Sequence, residues 1–126
     1  MRLFLNGEVL KRKEFLQGNY LLAENSIVND HPYWYKQDED YGMQLGDYGI
    51  WYGATYNGWI INGLGNLGTN LAHMVGPYWL DEVKWPTQIQ EGFRFYWLSK
   101  WRDTTSDEVV FVECKCVMDQ ISEHCL

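Results

Sequence analysis

No stretch of the 126 residues stays apolar for the roughly eighteen positions a membrane-crossing helix needs, so no membrane span is expected. Basic residues are also scarce. Ten Lys and Arg face seventeen Asp and Glu, which leaves a net charge of −7 and a pI near 4.8. Affinity for nucleic acid rests on broad basic surfaces that displace counterions from phosphate. The only local basic cluster is Lys11-Arg12-Lys13, read as a solvated loop or turn, so nucleic acid and anionic membranes are set aside as partners. Met1-Arg2-Leu3-Phe4-Leu5 is too short for the core of a signal peptide. The three histidines, His31, His73 and His124, are far apart and match neither a metal-binding spacing nor a catalytic triad. No catalytic residue, metal or other cofactor is expected.

Three cysteines, Cys114, Cys116 and Cys125, lie close to the C-terminus. Cys114 and Cys116 are too near each other to pair comfortably, and in a strand they point to opposite faces. Either could bond Cys125, leaving an odd thiol. That reading implies an oxidising, extracellular setting; three free thiols would leave a cytoplasmic one open.

Aromatic residues are abundant: seven Trp, nine Tyr and five Phe make 17% of the chain. Such side chains favour strands, and Trp and Tyr suit a surface where one edge stays wet. The length fits a single domain, drawn as residues 1–114 followed by a tail over 115–126 that forms a short amphipathic helix or frays. Asn6-Gly7 between Leu3-Phe4-Leu5 and Val9-Leu10 predicts a first hairpin. Further strands are expected at 18–23, 33–37, 42–45, 50–53, 58–62, 93–98 and 108–114, with one helical turn near 70–75 and a loop over 78–92. Period-two alternation over Val109 to Val112 places that strand in mid-sheet. Strands recurring this often between turn signals predict an all-β domain, an antiparallel sandwich or small barrel with at most one short helix.

Gly63-Leu64-Gly65-Asn66-Leu67-Gly68 has the spacing of a dinucleotide-binding turn, but Pro77 stops any helix soon after and no parallel strand follows. A glycine-rich turn is the better reading. Cys114, Cys116, His124 and Cys125 match no standard zinc spacing, and Asp38-Glu39-Asp40 lacks the ligand pattern of a calcium loop. Trp34, Trp51, Trp59, Trp97 and Trp101 fall in or beside predicted strands and are expected to face the core. Trp79 and Trp85 differ, because they fall in a proline-bracketed loop where large rings can stack on sugars or anchor a protein. With Tyr78 and the turn residues Tyr56 and Asn57 they form the candidate binding set.

Gly18-Asn19-Tyr20, Val28-Asn29-Asp30-His31-Pro32-Tyr33-Trp34-Tyr35-Lys36, Trp51-Tyr52-Gly53, Trp59-Ile60-Ile61 and Gly76-Pro77 together resemble small Trp-rich modules of multidomain animal extracellular proteins. The likeness covers residues 18–114 and departs from the commoner Val-Asn-Gly-Arg-Pro form at Asp30-His31. The resemblance implies an ectodomain location and carries no defined activity. The function expected is therefore noncatalytic binding of a glycan or a protein partner through exposed aromatics. Two alternatives stand beside it: a small hydrolase using carboxylates among Asp38, Glu39, Asp47, Asp81 and Glu82, and a structural spacer with every Trp buried. An exposed aromatic face would equally serve a homodimer.

Overall fold

The computed structural model describes residues 1–37, 48–55, 57–77, 85–89 and 91–113, together with the backbone of 116–117 and 120–121. The fold is all-β. Nine antiparallel strands form one curled, half-barrel sheet: β1 (Arg2–Leu5), β2 (Gly18–Leu22), β3 (Trp34–Lys36), β4 (Tyr48–Gly53), β5 (Gly58–Gly63), β6 (Met74–Gly76), β7 (Arg94–Trp97), β8 (Lys100–Asp103) and β9 (Val109–Val112). Their order is β8-β7-β6-β5-β4-β3-β2-β1-β9, so β1 to β8 follow the chain as a meander and β9 returns to pair with β1.

Strand register sorts the side chains. Tyr52 lies opposite Trp59, Ile50 opposite Ile61, Ile61 opposite Met74 and Met74 opposite Phe95, all on the concave face. They join Leu3, Leu5, Tyr20, Val109 and Phe111 in the main core. The curl brings the two sheet margins toward each other, where Phe93 and Phe111 meet with ring centroids 5.4 Å apart. On the convex face, Trp51, Ile60 and Val75 make a smaller core beneath Val28, Tyr33, Leu67 and Ala72. The Trp51 indole N–H donates to the carbonyl of Thr69 at 3.1 Å, tying that cover to the sheet.

Several sequence expectations are corrected. No hairpin forms at Asn6-Gly7; after β1 the chain enters α1 (Gly7–Lys13) and a 3-10 turn over Glu14–Leu16. A helix this short is not stable alone. Its i,i+4 positions Val9 and Lys13 are buried, while Glu8 and Arg12 pair at 3.0 Å on the opposite side. The Lys11 to Lys13 run is thus the last turn of a helix, and Lys13 is only 5% exposed. The helical turn expected near 70–75 is replaced by a 3-10 turn at Leu64–Asn66 and by β6, whose short apolar run pairs on both sides. The segment read as a link between the last two strands contains β8, and β9 ends the sheet order instead of lying in its middle. Its alternation is nevertheless real, with Val109 and Phe111 buried and Val112 exposed. In the tail, Cys116–Val117 and Gln120–Ile121 pair as a separate two-stranded sheet, not a helix. Among the tryptophans expected inside, Trp51 and Trp59 are fully buried, whereas Trp101 is 42% exposed. The strand expected at 42–45 lies outside the described residues.

Candidate functional site

The concave face ends in two different side-chain clusters. At the end formed by the β4–β5 turn, Tyr52 and Trp59 face each other across paired strands with centroids 5.3 Å apart. Trp34 of β3 meets Trp59 edge-on at 5.5 Å. Trp85 packs on both, 6.1 Å from Trp59 at 34° and 6.1 Å from Trp34 at 81°. Register places Gly76 opposite Trp59, and this glycine has φ +139 with no room for a Cβ against the Gly92 backbone. Trp59 is fully buried and Trp85 is 45% exposed, so the inner ring acts as a rigid floor and the outer ring as a wet platform.

Local chemistry fixes that platform. Trp85 precedes the 3-10 turn Pro86–Gln88; its N–H donates to Gln88 Oε1 at 2.8 Å and its carbonyl accepts from the Gln88 N–H at 2.8 Å. On the other side of Tyr52, His31 stacks at 4.2 Å, with its Nδ1 2.7 Å from the Asn29 carbonyl. Asn29 and Asp30 both have positive φ, a turn geometry Asn and Asp tolerate, and Asn29 Nδ2 donates to the Tyr52 carbonyl at 2.8 Å. Burial raises the Tyr52 phenol above its ordinary value.

The opposite end is cationic. Lys13 Nζ lies 3.0 Å from His73 Nδ1, 5.8 Å from the Phe15 ring centre and 5.9 Å from that of Trp97. Phe15 in turn contacts His73 and Tyr48, each at 5.1 Å. Arg12 covers the Trp97 ring at 5.0 Å. An ammonium can only donate, so His73 Nδ1 accepts and the imidazole proton sits on Nε2. Burial lowers the Lys13 pKa; burial, and then the Lys13 charge, lower that of His73. Among the described residues, no carboxylate pairs with Lys13.

Of the predicted binding set, the structure brings Trp85 into the aromatic cluster. Asn57 stands in the β4–β5 turn at the same end, with φ 51 and its N–H bonded to the Gly53 carbonyl at 3.0 Å, a backbone role. Tyr56, Tyr78 and Trp79 lie outside the described residues, as do Cys114, Cys125 and the carboxylates Asp38, Glu39, Asp47, Asp81 and Glu82. His31, Trp34, Tyr52 and Trp59 were not picked out for the site from sequence. The signal they carry there is period-two placement, which puts Tyr52 and Trp59 on one face without saying which end of it stays wet. Among the described residues, no group of three potential metal ligands converges, and no helix is long and apolar enough to cross a membrane. No protein-family description, curated protein or solved structure matches the chain.

Proposed function

We propose that the chain is a noncatalytic binding module whose Trp85 platform stacks on the apolar face of a saccharide. A single observation carries this reading: a half-exposed indole held over a fully buried one, with Trp34 standing nearly perpendicular beside it. Sugar rings pair an apolar C–H face with polar rims, and a flat ring that is already packed loses little freedom on binding. The His31 imidazole and the Gln88 amide border the same cluster and can serve hydroxyl groups. The resemblance to Trp-rich ectodomain modules supports an extracellular setting. Exposure of Trp85 and Trp101 counts against a spacer whose tryptophans are all buried.

A glycan-array screen of the intact chain beside Trp85→Ala tests the proposal, with Trp101→Ala as the control for an exposed indole elsewhere. Selective binding that falls by at least about tenfold in Trp85→Ala and survives in Trp101→Ala is the expected result. Absence of glycan binding by the intact chain, or equal loss in both folded variants, would overturn it and move the platform to a protein partner.

A further inference from the structure

The chain is acidic, yet half of its ten basic residues, Lys11, Arg12, Lys13, Lys100 and Arg102, belong to two segments that meet at Trp97. Arg12 Nε pairs with Glu8 Oε1 at 3.0 Å and Arg102 Nε donates to the Trp97 carbonyl at 3.1 Å. Each contact fixes a guanidinium plane and leaves its Nη groups without an acceptor among the described residues. Lys100 is exposed and likewise has no carboxylate partner there.

These cations lie beside an open sheet edge. β8 ends the sheet order, with β7 on one side and, among the described residues, no strand on the other. Leu98 and Ser99 have φ of 51 and 63, the geometry of a two-residue hairpin turn, so Trp97 and Lys100 are the closing hydrogen-bonded pair. Alternation along the ladder then turns the N–H and C=O of Arg102 toward β7 and those of Trp101 and Asp103 outward. Side chains alternate as well. Lys100 and Arg102 share the face of Trp97 and Phe95, while Trp101 packs on Tyr96 at 5.2 Å on the other face, both rings 42% exposed.

We propose that the β8 edge captures an extended acidic segment of a partner protein by strand addition. Its outward backbone groups pair with Trp101 and Asp103. Acidic side chains at alternate positions meet Lys100 and Arg102, within the positive field of Arg12 and Lys13, and the intervening apolar side chains lie on Trp101 and Tyr96. A second copy of this chain is a poor occupant. Two β8 edges paired about a twofold axis bring Lys100 and Arg102 of each copy against those of the other, because only residues of one face stand opposite each other. This inference is independent of the saccharide reading.

The test uses the full chain and a short fluorescent peptide of alternating valine and glutamate, with a peptide of the same composition in two blocks as control. Saturable binding is expected, weakened by salt, with slowed amide exchange at Trp101 and Asp103. The Lys100→Glu, Arg102→Glu double variant should weaken it by at least about tenfold. Trp101→Pro removes an outward N–H that β7 does not use; it should remain folded and also weaken the alternating peptide by at least about tenfold. Equal affinity for the block peptide, unchanged exchange at Trp101, capture of a sulfated oligosaccharide but not the peptide, or a concentration-dependent dimer blocked by Trp101→Pro would each overturn the proposal.

Discussion

The two ends of the concave face use the same raw material in opposite ways. Around Trp59 the aromatic rings of Trp34, Tyr52 and Trp85 pack on one another. Around Trp97 the rings pack on cations, with Arg12 over the indole and Lys13 between Phe15, Trp97 and His73. The first arrangement gains from apolar burial and leaves one ring, Trp85, half-exposed. In the second, α1 is seated on the sheet at an electrostatic cost, since Lys13 is almost wholly buried and touches another basic group. Aromatic packing is therefore concentrated at one end, and the titratable pair Lys13 and His73 at the other.

Truncating each floor should separate them most clearly. Trp59→Ala removes a fully buried indole and is expected to cost about 3–5 kcal/mol in denaturant unfolding, against a smaller loss for Trp97→Ala, which is half-buried. Equal losses would erase the difference in packing. Next in size is Lys13→Met. It keeps the apolar volume and abolishes the desolvated charge, so stability at neutral pH should rise by on the order of 1 kcal/mol; a fall would mean that the ammonium's contacts outweigh its burial.

Acid titration sharpens the same contrast. The His73 pKa is lowered in the folded chain, so on acidification the unfolded state takes up the proton first. Stability is full above the ordinary histidine value of about 6.5 and declines as pH falls from there toward the folded value. His73→Gln should flatten the fall in thermal-unfolding midpoint as pH drops below about 6.5. The lowered pKa of Glu108, held by hydrogen bonds from Thr105 and the start of α1, acts in the same sense at lower pH: its contribution is present above the ordinary carboxylate range and is lost only at more acid pH. The smallest effect belongs to Glu8→Gln, which breaks exposed helix pairs with Lys11 and Arg12 and should cost about 0.3–0.5 kcal/mol, measured by the same unfolding curves.

Much of the sheet was legible because its strands carry local signals. Gly18 to Leu22, Trp34 to Lys36 and the pair Ile50 to Gly53 and Gly58 to Asn62 stand between turn residues and are rich in aromatic and β-branched side chains. The failures have a shared cause. Asn6-Gly7 is a strong hairpin signal, but the strands that pair with β1 lie far along the chain, at Gly18 and Val109, and Val9 and Lys13 find their burial on the sheet. β8 was missed because Lys100-Trp101-Arg102-Asp103 is an edge strand with three charged residues, which hides period-two alternation.

Composition and spacing were enough to determine an antiparallel, aromatic-rich fold, because strand propensity, turn residues and alternation act over a few neighbouring positions. Spacing also marked Trp85 as a ring outside the strands. Only the tertiary structure decided that Trp85 rests on Trp59 and Trp34, that Lys13 meets His73 sixty residues away, and that Lys100 and Arg102 join the end of α1 at Trp97. Those meetings depend on the order of strands and the curl of the sheet, which arise from long-range pairing that no local pattern encodes.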